Sequence, residues 1–184
     1  MTFAGGSSLL HPNQCGLLLG LCTTNAVATL THEIRTLQRP RRKVSTLFLD
    51  IKAGFDNVNA NKLRAQLLKH ETPSYMVDWI SYFLAERTYT LVFQGSPKTP
   101  APVLVGTHQG SPISPLLFLI YVAPLHIDIP KALMVWYVDH FSVTVAAESH
   151  RTNIRRLPGI FRILARKRLA LDVEFSLQKT ELIH

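Results

Sequence analysis

The chain has 184 residues, about one domain's worth, and 47% of them are hydrophobic, which excludes a largely disordered protein. A formal net charge of +8 and a pI near 9.8 favour a polyanionic partner, nucleic acid above all. No apolar run reaches the roughly 20 residues of a membrane span, and no cationic segment precedes "GLLLGLC" as it would in a secretory signal, so no membrane partner is expected.

The first 22 residues are rich in Gly and Leu and give no periodic signal. Cys15 and Cys22 suit free thiols in a reducing compartment, which places the chain inside the cell, in nucleus or cytoplasm. With His11 and His32 they match no paired-cysteine zinc spacing. Thr24 to Leu37 carries Ala26, Leu30, Ile34 and Leu37 at helical intervals. Pro40 ends that helix within a basic loop, "RPRRK". "VSTLFLDI" (44–51) is a nearly continuous apolar run ending in an acid, the pattern of a strand buried on both faces. Two helices follow, the first capped by Asn59 or Asn61 and the second by Ser74. "TYTLVFQG" and "APVLVG" bracket a turn at Gly95, Ser96 and Pro97. "HQGSPISPLLFLIYVAPL" opens with Gly and Pro and becomes a strongly apolar helix. "LMVWYVDHFSVTV" (133–145) alternates, breaks at Asp139-His140 and resumes, which predicts a hairpin with an acid and an imidazole at its tip. Asn153 to Ala170 is a basic amphipathic helix that Pro158-Gly159 must kink or split. "EFSLQKTELIH" reads as a turn and a last strand. This order predicts an α+β fold, with helices packed on one face of a mostly antiparallel sheet.

Asp50 at a strand end and Asp139 at a hairpin tip can stand side by side on two central strands. Two such carboxylates repel unless a cation holds them, and oxygen ligands suit Mg²⁺, which also takes substrate phosphates. A pair of ions about 4 Å apart stabilises both oxygens of an in-line phosphoryl displacement.

Four stretches, "LFLDIKAGFDNV" (47–58), "GTHQGSPISPLLFLIY" (106–121), "YVDH" (137–140) and "KTELI" (179–183), resemble in order the palm motifs A to D of reverse transcriptases, most closely those of non-LTR (LINE-like) retrotransposons. "LHPNQCG" and "TTNAVATLTHEI" resemble the segment ahead of motif A in that group. The resemblance implies a polymerase palm with a ferredoxin-like antiparallel sheet. It runs over a single domain, residues 1–184, with partial fingers and the palm approach in 1–43 and motifs A to D in 44–184. It implies RNA-directed DNA synthesis from deoxynucleoside triphosphates on an RNA template and DNA primer, with two Mg²⁺ ions. On this pattern Asp50, the Ile51 carbonyl and Asp139 hold metal. Lys52, Ala53 and Gly54 offer backbone to the triphosphate. Phe55 blocks a ribose 2′-OH, Gln109 and Gly110 line the nucleotide pocket, and Lys179 protonates the leaving pyrophosphate.

Departures from the pattern are equally specific. His140 replaces the second acid of motif C. His108 stands where the family has Pro. Ala53-Gly54 inverts the usual Gly-Ala, which predicts a freer backbone there. Leu21, Cys22 and Asn25 replace the usual Arg, Ser and Asp. Fingers and thumb are expected to be largely missing from this stretch. These features predict impaired catalysis, and they leave a rival reading: an inactive retroelement remnant that at most binds nucleic acid through its basic surface.

Overall fold

The computed structural model describes residues 10–16, 20–39 and 41–184. Parts of the N-terminal approach, including Pro40, lie outside the described residues. In chain order the elements are β1 (Gln14–Cys15), α1 (Thr23–Leu37), β2 (Lys43–Lys52), α2 (Ala60–Lys69), α3 (Ser74–Leu84), β3 (Thr88–Tyr89), β4 (Val92–Phe93), β5 (Ser96–Pro97), β6 (Ala101–Pro102), α4 (Ser114–Val122), β7 (Ala132–Tyr137), β8 (His140–Ala147), α5 (His150–Leu171), β9 (Glu174–Phe175) and β10 (Glu181–Ile183). Short 3-10 turns occupy Phe55–Asn57, Ala123–Leu125 and Leu177–Lys179. None of the described helices is long and apolar enough to cross a membrane. The chain forms two compact units, a sheet unit (Leu10–Lys52 with Val122–His184) and a helical unit whose described part is Ala53–Tyr121.

In the sheet unit the strand order is β1-β7-β8-β2-β10, with β9 pairing the end of β2. Every pairing is antiparallel except β1 with β7. Because β2 and β8 pair without a break from Lys43↔Ala147 to Asp50↔His140, side-chain parity holds along the whole ladder. Leu49, Phe141, Val143 and Trp136 therefore share one face, and all four are buried. On that face Trp136 stacks on Phe141 with ring centroids 4.0 Å apart, and Phe141 meets Phe175 edge-on. Helix α5 covers it, turning Leu157, Ile160 and Leu164 inward, while its Asn153 donates to Ser45 Oγ and to the Lys43 carbonyl. Asp50, His140, Ser142 and Thr144 point to the other face. There α1 lies against β7, and Ala26 and Leu30 help wall an apolar cavity of about 170 Å³ floored by Phe48, Val135 and Tyr137.

The α5 sequence corrects one expectation. The helix is not split: it continues through Pro158 from His150 to Leu171. A proline removes one backbone donor, and the burial of Leu157, Ile160 and Leu164 on either side outweighs that loss. Capping at the N-terminus comes from Ser149, whose hydroxyl accepts from the Thr152 amide.

His126 fills a tight place in this unit, its ring 4.0 Å from that of Trp136 and its Nε2 2.8 Å from Gln14 Oε1. Burial pushes its pKa down to about 3; a backbone hydrogen bond at Ala123 opposes this and neighbouring His11 adds to it. The ring is thus neutral when folded, whereas the unfolded chain takes a proton below its ordinary value near 6.5. Stability is complete above that value and falls as pH drops toward about 3. The residue keeps some solvent contact, so the loss expected by pH 5 is about 1–2 kcal/mol. Melting the protein at pH 7 and pH 5 checks this, and His126→Gln should remove that part of the difference.

In the helical unit Asn59 caps α2, its side chain accepting from the Asn61 and Lys62 amides. Helix α3 begins at Ser74 with Pro73 in the capping position, so Ser74 is inside the helix and is not its cap. The core holds Leu63, Leu67, Val77, Ile80 and Phe118. The segment from Thr88 to Pro102 makes two small ladders, β3 with β6 and β4 with β5, the latter turning at Gln94-Gly95. Arg87 ties this region together, its guanidinium donating to the carbonyls of Leu84, Val105 and Gly106. Burial lowers its pKa from the ordinary value.

The inverted Ala53-Gly54 pair is not freer than the family's order. Ala53 takes the left-handed backbone, φ +48°, while Gly54 sits at an ordinary helical φ of −55°. The residue with a Cβ carries the strain, and the glycine's φ is one that any residue adopts. Ala53→Gly alone is expected to stabilise the fold by about 1 kcal/mol in denaturant unfolding. An unchanged midpoint would contradict the strain.

Candidate active site

The site in the sheet unit is built by the ends of β2 and β8. Parity places Asp50, the eighth residue of β2, on the face away from α5. The register sets it directly opposite His140. The tip of the β7–β8 hairpin is Val138-Asp139; His140 is the first residue of β8 and not part of the turn. Val138 adopts φ +57°, a costly backbone for a β-branched residue, so this turn is held under strain beside the acids. The Ile51 amide donates to the Asp139 carbonyl at 3.0 Å and locks the tip to the strand end.

Asp50, Asp139 and His140 each offer a ligand atom within 4.8 Å of the others, and this is the group of such residues found among the described residues. Asp50 is 3% exposed. Lys179 Nζ stands 3.1 Å from its Oδ2 and His140 Nδ1 2.7 Å from its Oδ1. The second contact lies outside hydrogen-bond geometry, and Asp50 Oδ1 is buried without a hydrogen bond. A buried carboxylate oxygen left so is a suitable ligand for a divalent cation, which satisfies it where neutral donors do not. Asp139 is more open, with His140 Nε2 3.7 Å from its Oδ1. The residues present therefore fit one divalent cation on Asp50 and Asp139. A neutral imidazole at 140 is a poor ligand for Mg²⁺ and a better one for Mn²⁺.

Lys52, also at the end of β2, pairs with Glu174 at 3.7 Å, both side chains being largely exposed. Ile51 is buried in the same strand. Cys15 is buried and Cys22 exposed, and neither joins His11 or His32 in a ligand cluster among the described residues. At the helix start Cys22 Sγ approaches Asn25 Oδ1 at 3.0 Å, and hydrogen bonding to the Asn25 backbone lowers the thiol's pKa from its ordinary value.

The helical unit carries the other motif residues. Phe55 packs on Phe118, ring centroids 4.6 Å apart. The Phe55 carbonyl accepts from the Thr107 amide and that of Val58 from the Gly106 amide, so the segments around motifs A and B are stitched together here. Gly106 has φ +89°, and a Cβ there would meet the Asp56 carbonyl oxygen at 2.8 Å. Gln109 Nε2 donates to Asp56 Oδ1 at 2.9 Å. Gly110 holds φ +85° with open space around it, so its glycine serves the backbone conformation. His108, in place of the family's proline, has Nε2 3.2 Å from the Phe83 carbonyl and packs on the Phe83 ring. The sequence reading missed Asp56 as partner of Gln109 and Arg87 as the clamp of the 84–106 region. An arginine amid an apolar hairpin pattern was the available signal for the latter.

Comparison with known proteins gives the family. The family model described as "Reverse transcriptase (RNA-dependent DNA polymerase)" matches residues 2–184. The chain belongs to the reverse transcriptase family. It is 28% identical over 140 residues to a probable RNA-directed DNA polymerase from transposon X-element of Drosophila melanogaster, covering 72% of this chain and 15% of that protein. It is 26% identical over 165 residues to the corresponding protein from transposon BS of the same species, covering 85% of this chain and 18% of that one. The chain thus spans under a fifth of the length of these curated relatives. Both agree with the retrotransposon group to which the motifs pointed. Among solved structures it resembles telomerase from Candida tropicalis, determined with a TWJ fragment of telomeric RNA (TM-score 0.68, 12% identity, 94% of this chain and 30% of that one). The apo form of that telomerase gives 0.67 at 11% identity, covering 94% of this chain and 33% of that one. At these identities the likeness concerns the fold, and it supports a palm-like arrangement.

Proposed function

We propose that this chain supplies the palm of an RNA-directed DNA polymerase, adding deoxynucleotides to a DNA primer on an RNA template. The observation that carries the reading is the meeting of Asp50 and Asp139 around a buried carboxylate oxygen that has no hydrogen bond. Asp50 and Asp139, with the Ile51 carbonyl, would hold Mg²⁺, which when bound stabilises negative charge on the reacting oxygens. Asp50 fixes the position because its strand is paired on both sides. Lys179 Nζ lies 3.1 Å from Asp50 Oδ2, and as the motif D lysine it would give a proton to the departing pyrophosphate. Phe55 would exclude a 2′-OH, while Lys52, Ala53, Gly54, Gln109 and Gly110 serve the incoming nucleotide, as the motifs imply.

His140 favours a weaker form of the same reading. It adds a basic group where the family has a third carboxylate and thereby reduces the attraction for cations. The test is primer extension on poly(rA)/oligo(dT) with Mg²⁺ and with Mn²⁺, using a complete reverse transcriptase into which residues 44–184 are grafted. Incorporation with Mn²⁺ exceeding that with Mg²⁺ supports the reading. A graft that binds primer–template and incorporates nothing with either ion speaks for the inactive remnant.

A further inference from the structure

Helix α5 carries seven cationic side chains and no acidic one. They fall into two groups by their angle around the axis, at about 100° per residue. The buried residues Asn153, Leu157, Ile160, Leu164 and Leu171 cluster within about 60° of arc. Arg156, Lys167 and Arg168 flank that arc and are used by the fold itself. Arg156 donates to the Ala146 carbonyl, Lys167 to that of Pro124 and Arg168 to that of Val173. Arg151, Arg155, Arg162 and Arg166 occupy a different arc, also about 60° wide, on the opposite side of the helix, and all four are exposed. They form one row spanning about 22 Å of helix.

Strand parity says where this row lies. Ser45, which Asn153 of α5 touches, and Asp50 are five residues apart on an unbroken strand and so point to opposite faces. The arginine row is on the side of the sheet turned away from the catalytic carboxylates. Nucleic acid engaged at Asp50 and Asp139 is therefore not what the row meets.

We propose that the outer row of α5 is a second nucleic-acid surface that holds the phosphate backbone of a double-stranded RNA stem. Charge decides the class of partner: four cations aligned on an acid-free helix suit regularly spaced phosphates. A lipid surface does not fit, because the apolar face of α5 is spent on the core and the arginine arc bears one large aliphatic residue, Leu169. Single strands are held by stacking on aromatic rings, and the only aromatic residue of α5, Phe161, packs against Phe175. A duplex offers its backbone without needing stacked bases. RNA is chosen over DNA because the proposed polymerase works along an RNA chain, and the inference rests on that reading.

The experiment is fluorescence polarisation of the 184-residue chain with a labelled 20-base-pair RNA stem between 50 and 200 mM salt. Four phosphate contacts predict an affinity loss of roughly 50- to 150-fold over that range. The variant carrying Arg151→Gln, Arg155→Gln, Arg162→Gln and Arg166→Gln should bind at least tenfold more weakly at low salt and lose most of the salt dependence. Arg→Lys at the same four positions should stay within a few-fold of the parent, which separates charge from folding, with circular dichroism as the check on the helix. Asp50→Asn should bind the stem like the parent while abolishing incorporation in the grafted polymerase, so failure of the polymerase reading and failure of this surface are told apart. The surface assignment is overturned if the Gln variant binds as the parent does, if DNA duplex competes equally, or if polyglutamate or anionic vesicles bind with the same dependence on the four arginines.

Discussion

Asp50→Asn is expected to lower nucleotide incorporation by at least about 10³-fold in a complete polymerase carrying these residues, equivalent to about 4 kcal/mol of transition-state stabilisation. An amide keeps the shape of the carboxylate and cannot take its place as an anionic ligand. Stability should hardly change. Lys179 and His140, the two groups that face Asp50, are 65% and 58% exposed and return to water at little cost when the acid is gone. A buried carboxylate is itself expensive, so the neutral variant can be as stable as the parent. Loss of activity with an unchanged melting temperature is thus the signature. Incorporation above a few per cent of the parent rate would show that Asp50 is not the central ligand.

His140→Asp is expected to make both stability and activity depend on a divalent cation. The register places position 140 directly against Asp50, with Nδ1 now 2.7 Å from the buried Oδ1. A carboxylate there faces Asp50 and lies next to Asp139, and without a cation the three repel. In EDTA the variant should be about 1–2 kcal/mol less stable than the parent, a drop of several degrees in melting temperature. Adding Mg²⁺ should restore it, whereas the parent should respond little to Mg²⁺ and more to Mn²⁺. In the grafted polymerase, the same substitution should raise Mg²⁺-dependent synthesis. Equal rates for His and Asp at 140 would mean that the third acid was dispensable.

The elements that the sequence predicted well are those with strong periodicity. Helix α1 and strand β2 fell within a residue of their expected ends, and the β7–β8 hairpin turned one residue earlier than the break in alternation, at Val138-Asp139. Helix α5 is not split at Pro158 because one missing amide is set against a whole buried face, and the face wins. The contacts that define the site were less legible. Motif order brought Asp50, Asp139 and Lys179 forward as candidates. No spacing could show that His140 faces Asp50, since that depends on register between strands 90 residues apart. Ala53 was misread for a related reason: the order of two small residues does not reveal which must adopt a positive φ.

The unbroken pairing of β2 also governs how this gene can change. Substitution can remove chemistry one side chain at a time, as His140 illustrates, while the sheet survives. Loss of a single codon within β2 is a different event. It would turn Asp50 toward the aromatic cluster under α5 and bring Leu49 out among the acids, so that core and chemistry fail in one step. Inherited copies of this segment should therefore accept conservative point changes along β2 more readily than any change in its length.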